Sequence, residues 1–167
     1  MLAVIAVFVQ ISLLNSAGRR TNDIAAQDIS AAGKANTAPE LEYPANGYIF
    51  FSQAGENACP LTIKTQGDQA YFIKLENSEG KDVLAFFVRP GQTADMMAPV
   101  GRYMIKYASG ITWYGTEDLF GAATVYTRAE GAFDFTYSDG SYHGWIIKLY
   151  QAADANIIAD SIDAADF

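Results

Sequence analysis

The chain has 167 residues, half of them apolar, a formal net charge of −8 and a single cysteine, Cys59. An acidic surface repels a phosphate backbone, which excludes nucleic acid as a natural partner. One cysteine excludes an intrachain disulfide, a CxxC redox pair and a cysteine-based zinc site. The length fits one domain with extensions, and about 120 residues of this composition bury a core without covalent staples.

The first segment, "MLAVIAVFVQISLLNSAG" (1–18), is apolar from Leu2 to Leu14 except at Gln10 and Ser12. It has the h-region of a signal peptide, with small residues at Ser16 to Gly18, but lacks the basic n-region such a signal carries. As a membrane span it just reaches the lower limit of roughly 17 residues. We read it as an apolar helix retained as a membrane anchor, with Leu2, Val4, Ile5, Val7, Phe8, Val9, Ile11, Leu13 and Leu14 facing lipid. The missing basic flank points to a start upstream of Met1. Arg19 and Arg20 give a weak vote for a cytoplasmic body.

Residues 19–45 are small, polar and poor in aromatics, which reads as an extended linker lying along another surface. From residue 46 to 151 the hydrophobic period becomes two. Strands are predicted at "GYIFFSQ" (47–53), "PLTIKTQ" (60–66), "QAYFIKLENSEG" (69–80, turning at Ser78 to Gly80) and "KDVLAFFVRPGQ" (81–92). Others are expected at "TADMM" (93–97), "GRYMIKYASG" (101–110), "ATVYTRA" (123–129), "GAFDFTY" (131–137) and "YHGWIIKLY" (142–150), with a hairpin turn at Asp139-Gly140. Tyr103, Ile105 and Tyr107 share one face. Short strands at intervals of about ten residues predict an all-β fold, a single β-sandwich of prealbumin-like or immunoglobulin-like type. The acidic segment 152–167 offers a last strand at "NIIADSI"; Ile162 and Phe167 either anchor it to the domain or a partner, or leave it frayed.

Catalytic constellations are thin. His143 is the only histidine and nothing in sequence pairs it with Cys59; no G-x-S-x-G elbow, calcium loop or phosphate loop occurs. Glu117 and Asp118 are adjacent and point apart on an extended segment, and Asp134 with Asp139 is the only other carboxylate pair worth naming. No enzyme activity, metal or cofactor is expected. The unusual stretch is "ASGITWYGTEDLFG" (108–121). Trp113 and Tyr114 could stack on a sugar with Glu117 as acceptor; otherwise Trp113 and Phe120 plug one end of the fold while glycines supply the turns.

The residues "PVGRYMIKYASGITWYG", "LFG", "TVYTRAEGAFDF" and "YHGWIIKLY" carry a resemblance. They fit the pattern PxGxYxxxYASGxxWYGxxxxFG of a group of uncharacterised bacterial membrane-anchored or exported β-sandwich domains. "PLTIKTQGDQAYFIKL" (60–75), "VLAFFVRPGQT" (83–93) and the closing "DAADF" follow the same layout, so the resemblance covers about residues 46–167. Pro99, Gly101 and Tyr103 give a looser likeness to prealbumin-like sandwiches. The resemblance implies an extracytoplasmic, periplasmic body behind an apolar helix, and no activity. The expected function is therefore a non-catalytic accessory or scaffolding subunit of a larger membrane complex, whose partners are the membrane and other protein subunits. The rival is an extracytoplasmic module for cell-wall or exported glycans using Trp113, Tyr114 and Glu117.

Overall fold

The computed structural model describes residues 38–149 and 159–167. The anchor at 1–18 and most of the linker lie outside the described residues. Among the described residues no helix is long and apolar enough to cross a membrane.

The fold is all-β. Among the described residues eleven strands run in chain order: β1 (Ile49–Ser52), β2 (Ala58–Thr65), β3 (Ala70–Glu76), β4 (Asp82–Val88), β5 (Thr93–Pro99), β6 (Gly101–Gly110), β7 (Val125–Ala129), β8 (Phe133–Ser138), β9 (Ser141–His143), β10 (Trp145–Leu149) and β11 (Ala159–Ser161). The larger sheet has the order β1-β4-β3-β6-β7-β11, with β8 pairing the first three residues of β6 and β9 pairing β8. The smaller sheet is β10-β2-β5. Among the described pairings all are antiparallel except β10 with β2.

The period-two pattern builds a core between the sheets. Tyr71, Ile73 and Leu75 of β3 and Tyr103, Ile105 and Tyr107 of β6 point to one side. There they meet Leu61 and Ile63 of β2 and Ile147 and Leu149 of β10. The opposite face of the large sheet is not left to water. Phe72 and Ala70 of β3, Ala85 and Phe87 of β4 and Ala108 of β6 form a second buried cluster with Trp113, Leu119 and Phe120. This explains "VLAFFV", which shows no alternation because β4 is covered on both faces.

Two predicted elements change. "YHGWIIKLY" is not one strand: it breaks at Gly144, with β9 staying on β8 and β10 crossing to β2. A Cβ at Gly144 would lie 1.7 Å from the Pro60 carbonyl oxygen, so only glycine lets the chain change sheets there. The end of the linker, expected to lie along another surface, lies on the domain itself. Leu41 bridges Trp113 through its main-chain N–H, 2.8 Å from the Trp113 carbonyl. Arg89 then holds the next residues, donating from Nε to the Pro44 carbonyl (2.7 Å) and from Nη2 to the Tyr43 carbonyl (2.8 Å). The turn at Asp139-Gly140 forms as expected, with φ of 51° and 73° and Ser138 opposite Ser141, the positive-φ pair a two-residue hairpin requires.

Candidate functional site

The aromatic stretch 110–121 leaves β6 and folds back over the outer face of the large sheet. Gly110 permits this: a Cβ there would sit 2.4 Å from the Cβ of Phe120. Trp113 is 3% exposed. Its ring stacks near Phe72 (centroids 6.0 Å, 27°) and meets Phe87 and Phe120 edge-on at 5.0 and 5.4 Å, geometries that aromatic pairs favour. Leu119, also buried, takes a left-handed backbone (φ 49°) that a branched side chain rarely adopts; hydrogen bonds with Gly115 and Tyr114 fix it. Tyr43 donates its hydroxyl to the Ile111 carbonyl and fastens the rim.

This arrangement separates the three residues of the glycan hypothesis. Trp113 turns inward and offers no free face, Tyr114 is half-buried, and Glu117 is exposed at the tip. The ring that should stack on a sugar is a core residue instead. Exclusion of Phe72 and Phe87 from water demanded a large apolar cover, and Trp113 supplies it.

Cys59 and His143 do come close, but not as a dyad. Cys59 is 0% exposed and its thiol reaches the Thr136 carbonyl at 3.5 Å. Burial pushes the thiol pKa up, and a main-chain hydrogen bond from His143 only partly offsets this. The His143 ring instead sits 3.3 Å from the Ser138 carbonyl. A neutral, enclosed thiol is a poor nucleophile. Asp134 is exposed beside Arg102 at 3.8 Å, while Asp139 is a turn residue. Among the described residues no group of three histidine, cysteine or carboxylate side chains could hold a metal ion.

Two surfaces remain, and sequence reasoning missed both. The first is β1. All four of its residues are exposed, and Ile49, Phe50 and Phe51 follow Tyr48 and lie near the level of exposure of Leu41. β1 pairs β4 on one side, and among the described residues nothing pairs its other side. Phe50 still packs on Phe72 and Trp113, at 5.3 and 6.3 Å, and the register shift between Ile49 and Phe51 turns it that way. Ile49 and Phe51 belong to neither buried cluster. At the end of β1 a cleft of about 520 Å³ opens, lined by Gln53, Val83, Met104 and Arg102 among others. Its size is that of a side-chain or small-ligand pocket. The sequence signal was available: three successive apolar residues in a short first strand without lysine or proline to guard it.

The second surface lies at the other end of the sheet. Lys74 faces Lys106 across β3 and β6, Lys106 faces Arg128 across β6 and β7, and Arg128 faces Asp160 of β11. These three cations come from positions far apart in sequence, so only the strand register reveals them. No family model, curated protein or solved structure matches this chain.

Proposed function

We propose that this chain is a non-catalytic accessory or scaffolding subunit of a larger membrane protein complex. Its two sheets are those of a prealbumin-like or immunoglobulin-like β-sandwich, related to the exported bacterial domains that the YASGxxWYG pattern suggests. The apolar segment Leu2 to Leu14 tethers it, and the body lies on the periplasmic side. The observation that carries this reading is the exposed β1 edge. Soluble folds guard a sheet edge with charge, proline or a covering segment. Here Tyr48, Ile49 and Phe51 are apolar or aromatic, exposed and beside main chain that, among the described residues, is unpaired on its outer side. That combination suits a partner that adds an extended segment to the sheet, with main-chain hydrogen bonds giving affinity and alternate side chains giving specificity. The cleft beside Gln53 extends the same surface.

The test is purification from native membranes in mild detergent, with the affinity tag inserted in the exposed hairpin at 138–141. The expected result is migration within a larger assembly, release from it by Phe51→Lys with membrane attachment intact, and release from the membrane on deleting residues 1–18. A protein that elutes alone and monodisperse overturns the reading.

A further inference from the structure

The charge of the outer face needs explaining. The chain carries a net −8, yet three of its 11 lysines and arginines stand side by side as Lys74, Lys106 and Arg128 on adjacent strands. Like charges directly opposite each other destabilise a sheet. Glu76 and Asp82 offset part of this, with Lys106 Nζ 2.6 Å from Glu76 and Lys74 Nζ 3.2 Å from Asp82. One residue pair further along, Phe72, Ala108 and Tyr126 form a parallel row, with the small alanine between two rings. An apolar row beside a cationic row is a surface built for an acidic extended segment that also carries an aromatic group.

The structure shows such a segment in place. Residues 159–161 add β11 to the edge of β7, and the Ile162 N–H continues the pairing to the Tyr126 carbonyl at 3.2 Å. Lys106 Nζ donates to the Asp166 carbonyl at 2.7 Å, and Lys74 Nζ to the Phe167 main-chain oxygen at 3.0 Å. The Phe167 ring lies 5.2 Å from Tyr126 and 6.3 Å from Phe72, with Lys74 Nζ 4.6 Å above it. Yet the hold is shallow. Of residues 159–167 none is fully buried, and only Ala159, Ile162 and Phe167 are half-buried. Strand addition, main-chain capture by lysine and one aromatic anchor are the elements of a peptide-recognition site, and a contact with so little buried surface opens locally at small cost.

We propose that this face is a peptide-binding groove for acidic strands closed by a phenylalanine, filled in cis by residues 159–167 and open in trans to the same segment of a second copy of the chain. Tethering gives the cis segment an effective concentration on the order of millimolar. A free peptide at micromolar concentration therefore competes only when the cis segment is loosened. The inference does not depend on the β1 surface.

The experiment uses the full chain and a fluorescein-labelled peptide of sequence ADSIDAADF, followed by fluorescence polarisation. Two variants loosen the cis segment by different means: Phe167→Ala removes its anchor, and Asp160→Lys places a cation beside Arg128. Both should bind the peptide about fivefold more tightly than the unaltered chain, with affinity falling as salt rises. The same peptide with its phenylalanine replaced by alanine should lose that gain. If Phe167→Ala loses its native tryptophan emission, Asp160→Lys decides alone. Binding no tighter than to the unaltered chain, or equal binding of the alanine peptide, overturns the proposal.

Discussion

The two ends of the large sheet are finished in opposite ways. At one end the chain covers the sheet with its own segment: β11 pairs β7, Phe167 covers Phe72 and Tyr126, and two lysines hold the segment by its main-chain oxygens. At the other end β1 is mostly apolar and, among the described residues, unpaired on its outer side. Among the described residues both outermost strands are paired on one side only, but β11 is three residues long and carries Asp160, whereas β1 presents Ile49, Phe50 and Phe51. What differs is whether those rings cover buried surface or face water. The proposed partner belongs to the β1 edge, while the face beside β11 is already covered by the chain's own residues 159–167.

The strongest way to break this comparison is at Trp113, whose ring lies 6.3 Å from that of Phe50 of β1. Trp113→Ala empties the outer cluster and should cost about 3–5 kcal/mol, read as a lower urea midpoint. A cost under about 1 kcal/mol would mean that the loop is only draped on the sheet, and that β1 does not depend on it.

Alkaline pH gives a perturbation that should not distinguish the two ends, because Tyr71, Tyr103 and Tyr107 lie in the core between the sheets. Burial raises the phenol pKa of all three, most strongly at Tyr107, where a hydrogen bond with Thr127 opposes it. A raised folded-state value means the neutral phenol is favoured in the fold. The stabilisation is complete below the unfolded tyrosine pKa of about 10 and is lost as pH rises through the folded values. Stability should be flat across neutral pH in respect of these groups, then fall by up to about 1.4 kcal/mol per pH unit for each ionising tyrosine. Urea midpoints from pH 8 to 12 check this. Hydrogen exchange at β1 and β11 should rise together; a rise confined to one end would place the weak point there instead.

At the closed end, Phe167→Ala removes a half-buried ring and should cost about 1 kcal/mol, less than the roughly 1.5–3 kcal/mol of a fully buried phenylalanine. Amide exchange should accelerate in β11 and β7 and stay unchanged in β1. Equal acceleration at both ends would show that the ends are coupled through the outer cluster rather than finished separately.

How much of this was legible in the sequence follows from the range of each interaction. Strands with strict alternation were readable because one face of each meets the shared core: Tyr103, Ile105 and Tyr107 fall as predicted. The Asp139-Gly140 turn was readable because its signal is local. The break at Gly144 was not, since its cause is the carbonyl of Pro60, more than 80 residues away. Trp113 carried a double meaning. An aromatic residue among glycines fits a core plug, the favoured reading, and also a sugar platform, and the neighbouring Phe72 and Phe87 make it the plug. The cationic row was invisible for the same reason as Gly144: Lys74, Lys106 and Arg128 are neighbours by register alone. The expected anchor, Leu2 to Leu14, lies outside the described residues.

The smallest effect on stability is the most informative about function. Ile49 and Phe51 are each 45% exposed and stand apart from both clusters. Replacing either by lysine removes little buried area and sets a charge in water, so the urea midpoint should move by no more than about 0.5 kcal/mol. Lysine on an edge strand is also the device by which folds refuse an added strand. The variant should therefore keep its stability and lose its association, measured by mass in mild detergent. If lysine at Phe51 instead destabilises the monomer by 2 kcal/mol or more, β1 is part of the core and the open edge is open in name only. If stability and association are both unchanged, the partner binds elsewhere, and the contrast between the two ends has no functional meaning. Loss of association at constant stability is the outcome that requires a partner at β1, because nothing inside the chain would register the change.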